Sequence, residues 1–164
     1  MLRVLGAAPC QGAVVEADAY IPLKVSFDVT QGGQPLYLRL RGELGGEAEL
    51  KIDPVSGALV QVTVIDPPPE VDHAPAATST SESENCVPVL DRYLWPWKRT
   101  PDYEEPVRRV IHQAAHLGMS GNQQPSYVEF STGRAVGSYR CGPVVFGVSA
   151  QEELVNMVIL SGER

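Results

Sequence analysis

Few residues in this chain are of a type and spacing that could do chemistry. His112-Gln113-Ala114-Ala115-His116 sets two imidazoles at i and i+4, the interval at which one helix face can present a metal. A zinc hydrolase of that pattern carries Glu directly after the first His as general base, and here that position is Gln113. Arg108 and Arg109 stand one turn earlier, and two cations disfavour a dication beside them. The pair therefore reads as the solvated face of a helix, and no metal or other cofactor is expected. Cys141 follows Arg140, which could lower a thiolate pKa, but no His or carboxylate is assigned to it and it reads as a structural thiol. Gly118-Met119-Ser120-Gly121 lacks the spacing of a nucleophile elbow. No phosphate-binding glycine loop is present. Nothing here assigns an enzymatic reaction.

Tyr93-Leu94-Trp95-Pro96-Trp97-Lys98-Arg99 gathers both tryptophans with a tyrosine and two bases. Trp95 and Trp97 can lid a core. Where exposed, they can anchor a partner, because Trp, Tyr and Arg dominate interface energetics.

The net charge of −7 is unevenly spread. Segment 66–85 holds Asp66, Glu70, Asp72, Glu82 and Glu84 and no Lys or Arg. A nucleic-acid partner is disfavoured by this balance, whereas a basic protein surface is permitted. Cys10, Cys86 and Cys141 are odd in number and far apart, which predicts free thiols rather than a disulfide framework. No apolar run approaches the roughly 20 residues that cross a bilayer, so no membrane partner is expected. The apolar stretch before Pro9 is shorter than the roughly 7–15 residues of an export signal. It reads as the first strand of a cytoplasmic protein.

The elements that must position these residues are mostly strands. Leu23, Val25, Phe27 and Val29 alternate with polar neighbours, as do Leu36, Leu38 and Leu40, and then Ala48, Leu50 and Ile52. Asp53-Pro54-Val55-Ser56-Gly57 is a turn in which Gly57 can take φ > 0. Leu59–Ile65 is apolar and nearly continuous, as a central strand is. The chain also repeats itself. Leu59-Val60-Gln61-Val62 matches Leu154-Val155-Asn156-Met157 at a constant offset, and Tyr37–Leu40 matches Tyr127–Phe130 if the second copy is longer. Pro106–Leu117 predicts a helix, with Val107, Val110, Ile111 and Ala114 on one face. Ser149 with Glu152 could cap a second helix, but the repeat argues for a turn there.

The expected fold is α+β in one domain, mainly antiparallel β, with two related β-meander halves and one or two helices. Its parts are a first β half at 1–65, a mobile acidic loop at 66–85, a connecting region with the helix at 86–125, and a second β half at 126–164.

A small, acidic, cofactor-free chain with no catalytic motif resembles in type the immunity proteins that bacteria make against polymorphic secreted toxins. The resemblance rests on size, charge and missing motifs, so it transfers no site residue. It implies a non-enzymatic protein-binding module that covers a basic toxin domain. On that reading the partner-binding residues are Asp66, Glu70, Asp72, Glu82, Glu84, Trp95 and Trp97. The alternatives are a small-molecule-binding protein or enzyme with a pocket between the two β halves and a structural subunit that pairs through sheet edges.

Overall fold

A computed structural model describes residues 2–72, 81–121 and 127–160. The first sheet contains β2 (Ala13–Glu16), β3 (Leu23–Phe27), β4 (Leu36–Gly42), β5 (Glu47–Ile52), β6 (Leu59–Asp66) and β11 (Val110–Ala115). Its strand order is β11-β4-β5-β6-β3-β2. The second sheet contains β7 (Ser81–Glu84), β12 (Gly118–Ser120), β13 (Tyr127–Glu129), β14 (Ala135–Cys141), β15 (Val144–Ser149) and β16 (Leu154–Ile159). Its order is β12-β13-β16-β15-β14-β7. Both sheets are antiparallel except at one end, where β11 runs parallel to β4 and β7 parallel to β14.

Read from opposite ends, the two orders coincide. The hairpin β4–β5 and strand β6 sit where β14–β15 and β16 sit, and β3 and β2 sit where β13 and β12 sit. The ladders agree residue by residue. Lys51 faces Gln61 and Ile52 faces Leu59, just as Gly147 faces Asn156 and Val148 faces Leu154. Each ladder shifts register at that step, which leaves Val60 and Val155 as equivalent bulged residues. Upstream of the bulge the second turn is one residue shorter, so Leu50 corresponds to Phe146 rather than to Val145. The proposed match of Tyr37–Leu40 with Tyr127–Phe130 does not hold. Tyr37 lies in the strand equivalent to β14, whereas Tyr127 lies in the strand equivalent to β3.

Alternation explains the core. Leu23, Val25 and Phe27, Leu36, Leu38 and Leu40, and Ala48, Leu50 and Ile52 are buried, with half-buried polar residues between them. They join Val128, Val144, Phe146, Leu154 and Met157 of the second sheet in one cluster. The Phe27 and Phe146 rings meet across the sheets at 5.3 Å, inclined by 53°. At this separation and tilt, aromatic pairs are attractive beyond their buried area.

A two-stranded strap fastens the sheets. β1 (Val4–Pro9) pairs antiparallel with β8 (Cys86–Leu90). β8 reaches the β5–β6 turn, where Leu90 N–H donates to Gly57 O at 2.9 Å. The start of β1 reaches the β15–β16 turn, where Val4 N–H donates to Glu152 O at 2.7 Å. Both turns close on a buried oxygen. The Asp53 carboxylate accepts from the N–H groups of Gly32, Val55 and Ser56, and from the Ser56 hydroxyl. Burial acts to raise its pKa, but these donors outweigh burial and hold the carboxyl below its ordinary 3.8. In the second turn the Ser149 hydroxyl accepts from Gln151 and Glu153 N–H. The reading of this segment as a turn rather than a helix start agrees with that geometry.

Three expectations are corrected. The helix at 106–117 is absent, and the only helical turn among the described residues is the 3-10 turn Arg92–Leu94. In its place stand the hairpin β9 (Trp97–Arg99) with β10 (Glu104–Pro106), then β11. Ala-rich spacing favours a helix, but the open ladder of β4 and burial of Ile111 and Ala115 against the core override that preference. Segment 66–85 is not one loop. Asp66 ends β6, residues 81–84 form β7, and residues 73–80 lie outside the described residues. Cys10 and Cys141 are not separate thiols. They form a disulfide with Cα atoms 6.1 Å apart, while Cys86 is free and buried.

Two outcomes follow. Denatured, unreduced protein should titrate one thiol per chain, and reduction should lower the unfolding free energy by about 2–5 kcal/mol, given the long loop closed. Three titratable thiols would contradict the bond. Gly57 and Glu152 hold equivalent turn positions at φ 80° and 61°. Because L-residues pay for that region, Glu152→Gly should stabilise by about 1 kcal/mol and Gly57→Ala should destabilise by at least as much. Chemical denaturation of the two variants checks both signs.

Candidate partner-binding site

The segment after the strap is pinned to the first sheet by its tryptophans. Trp95 is 1% exposed, and its indole N–H lies 3.2 Å from Tyr37 O and 3.1 Å from Arg109 O. It thus clips the start of β4 to the approach of β11, where Tyr37 N–H also donates to Arg109 O at 2.7 Å. Trp97 is half-buried and donates to Arg92 O at 2.9 Å. Of the two tryptophans, only Trp97 therefore offers appreciable surface.

Above this base the side chains interleave. The Arg92 guanidinium stands 5.0 Å from the Trp97 ring centre and 5.1 Å from that of Tyr93, and Arg99 stands 5.3 Å from Tyr93. Such contacts contribute about 0.5–1 kcal/mol each at exposed sites. Glu104 lies 3.3 Å from Arg99 and 4.0 Å from Arg92, and Arg92 also donates to Pro54 O at 3.1 Å. The stack is therefore held in place before any partner arrives. Between it and β11 runs an open groove of about 510 Å³. Leu94, Trp95, Pro96 and Ile111 line it together with Tyr93, Arg108, Val110 and His112. Tyr93, Val107 and Val110 remain 54%, 65% and 45% exposed, and Tyr103 is exposed at the hairpin tip.

The acidic residues lie elsewhere and in two groups. Asp66 faces Glu47 at the end of β6, and Glu70 and Asp72 follow beside β12, all three exposed. Glu82 and Glu84 are exposed on β7, at the opposite side of the second sheet. The seven residues expected to bind a partner thus do not form one patch. The residues that the sequence reading missed are Tyr103, Val107, Arg108 and Val110. Their signal was a run of exposed apolar and basic residues around Pro106, which the helical pattern absorbed.

The histidines part company. His112 is exposed on β11, whereas His116 lies past its end and meets Glu129 of β13 at 2.8 Å. Glu129 also accepts from the buried Tyr127 hydroxyl at 3.3 Å. Asn156 lies over Gly147, where a Cβ would stand 2.5 Å from its side-chain oxygen. His116, in the link between β11 and β12, thus meets a polar run of the second sheet. Among the described residues, no three His, Cys, Asp or Glu side chains are grouped to hold a metal ion, and no helix is long and apolar enough to cross a membrane.

No protein-family model matches the sequence, and no curated protein matches it either.

Burial, with the Glu129 carboxylate beside it, pushes the Tyr127 phenol up to about 12. The unfolded phenol ionises near its ordinary 10, so the folded state binds this proton more tightly. Stability carried by Tyr127 should be complete below pH 10 and be lost as pH rises toward about 12. Comparing alkaline denaturation of the wild type with Tyr127→Phe isolates this contribution, and identical alkaline profiles would contradict it.

Proposed function

We propose that the chain is a non-enzymatic protein-binding module, of the kind that a toxin-blocking immunity protein represents. The observation that carries this reading is the exposed patch of Tyr93, Val107 and Val110 beside the stacked Arg92, Arg99 and Trp97. Tyr, Trp and Arg are the residues whose truncation costs most at interfaces, and these are already ordered, which reduces the entropy lost on docking.

Charge acts at longer range on this reading. Asp66 at the end of β6, and Glu70, Asp72, Glu82 and Glu84 beside or on the second sheet, attract a basic partner, such as a toxin domain, during encounter. The patch then supplies the short-range contacts. The two halves, with their matching ladders, are read as copies of one unit, which gives a rigid support for the patch. The short apolar stretch before Pro9 reads as the first strand of a cytoplasmic protein, but the Cys10–Cys141 bond fits an oxidising compartment better, which is where the protein is proposed to act.

Binding kinetics against the product of the adjacent gene test the reading. Val107→Asp with Val110→Asp should weaken binding by about 2 kcal/mol or more, mainly through faster dissociation. Neutralising Glu82 and Glu84 should mainly slow association, and salt should mimic it. A partner indifferent to all four changes would remove the patch from the site. Turnover of a small molecule by the purified chain, with no neighbour bound, would overturn the proposal.

A further inference from the structure

We infer that the partner engages this patch by adding an extended segment of its own to the open side of β11, with an acidic side chain of that segment set against Arg108. The inference rests on the protein-binding reading and specifies how the contact is made.

β11 is paired with β4 and, among the described residues, with nothing on its other side. The bonds at the two ends of this ladder fix its phase. Tyr37 N–H donates to Arg109 O at 2.7 Å, and Glu43 N–H donates to Ala115 O at 3.0 Å. In a parallel ladder, alternate residues of a strand turn both backbone groups to the same neighbour. Residues 109, 111, 113 and 115 therefore face β4. The N–H and C=O groups of Val110, His112 and Ala114 face outward, and their side chains are exposed as well.

The other sheet ends are guarded in ways that β11 is not. β2 ends on Glu16, and β7 carries Glu82 and Glu84. β12 is covered by the chain before it, because Val71 N–H donates to Met119 O and Met119 N–H donates to Pro69 O. Charges and covering segments are the usual devices that keep a sheet end from pairing further. β11 reads Val-Ile-His-Gln-Ala-Ala. It has no proline and no Lys, Arg, Asp or Glu, and its pairing with β4 runs without a register shift. Six residues span about 20 Å, which is enough for a recognised peptide to pair along.

The chemistry of the occupant follows from what borders this strand. Arg39, Arg92, Arg99 and Arg109 are each engaged by a carboxylate or a carbonyl. Arg108, at the entrance to β11 and on the groove wall, makes no ion pair or hydrogen bond among the described residues. An arginine left uncommitted beside three outward backbone repeats suits a carboxylate presented by the added strand. Tyr93, Pro96 and Val110 suit an apolar side chain next to it. The recognised segment thus alternates apolar and polar residues and carries Asp or Glu near the Arg108 end.

A random peptide library displayed on phage, selected on the full chain, provides the probe. Selected peptides should alternate apolar residues with Asp or Glu. Their affinity should fall about tenfold or more for Arg108→Glu, as expected for loss of a charged hydrogen bond. Ala114→Pro should have a similar effect. It removes an outward N–H that the β4 ladder does not use, which is where an edge strand tolerates proline. Val14→Asp, on β2, should bind like the wild type. If Ala114→Pro fails to fold, as a thermal melt would show, Arg108→Glu still decides. The inference is overturned if no peptide is selected, or if the peptides bind the edge variants like the wild type. It also falls if the free chain dimerises and the same variants abolish the dimer, which would give the edge to a second copy. Should the neighbouring gene product bind both edge variants unchanged, strand addition alone is wrong. Should it not bind the wild type at all, the protein-binding reading falls as well.

Discussion

The structure depends on the β1–β8 strap and the two turns to which it is tied. Each six-stranded sheet has an apolar inner face that must be covered, and the sheets cover one another around Phe27 and Phe146. The strap sets where they meet, because one of its strands bonds to Gly57 and the other to Glu152. Those positions are equivalent in the two halves, and both take positive φ. The buried Asp53 carboxylate and the buried Ser149 hydroxyl accept from the turn amides and so close both turns. The disulfide adds a covalent tie from the end of the strap to β14.

That frame determines what is left for binding. Residues paired in the strap or facing the shared core are spent on stability, and so is Trp95, whose indole joins β4 to the approach of β11. The proposed site occupies the far end of the first sheet. There Arg92, Tyr93, Trp97 and Arg99 stack on the surface, and β11 presents an unpaired side. Most of the proposed site lies on the 3-10 turn, β9 and β11, and side chains ordered before docking lose less entropy when a partner is seated.

Much of the first sheet could be read from the sequence, because alternation at Leu23–Phe27, Leu36–Leu40 and Ala48–Ile52 reports a half-buried pleat directly. The shared pattern at Leu59–Val62 and Leu154–Met157 was visible for a similar reason, since both stretches carry the same bulge. β11 was not legible. Val107, Val110, Ile111 and Ala114 satisfy a helical period, and only the vacant side of β4 decides for a strand. The disulfide was hidden by its sequence separation of 131 residues, which the strap brings to bonding distance. Of the site, Tyr93 and Trp97 were flagged by composition, whereas Arg108 and Val110 gained meaning only once β11 was known to be a sheet edge. The acids were conspicuous in sequence but are divided in space by the width of the second sheet.

Amide hydrogen exchange along β11, residue by residue, tests the central claim most directly. In the free protein the amides of Ile111, Gln113 and Ala115 should be protected by β4, while those of Val110, His112 and Ala114 exchange readily. Bound to its partner, the protein should protect the second set too. Protection of Val110, His112 and Ala114 already in the free chain, or their continued rapid exchange in a complex, would contradict the account.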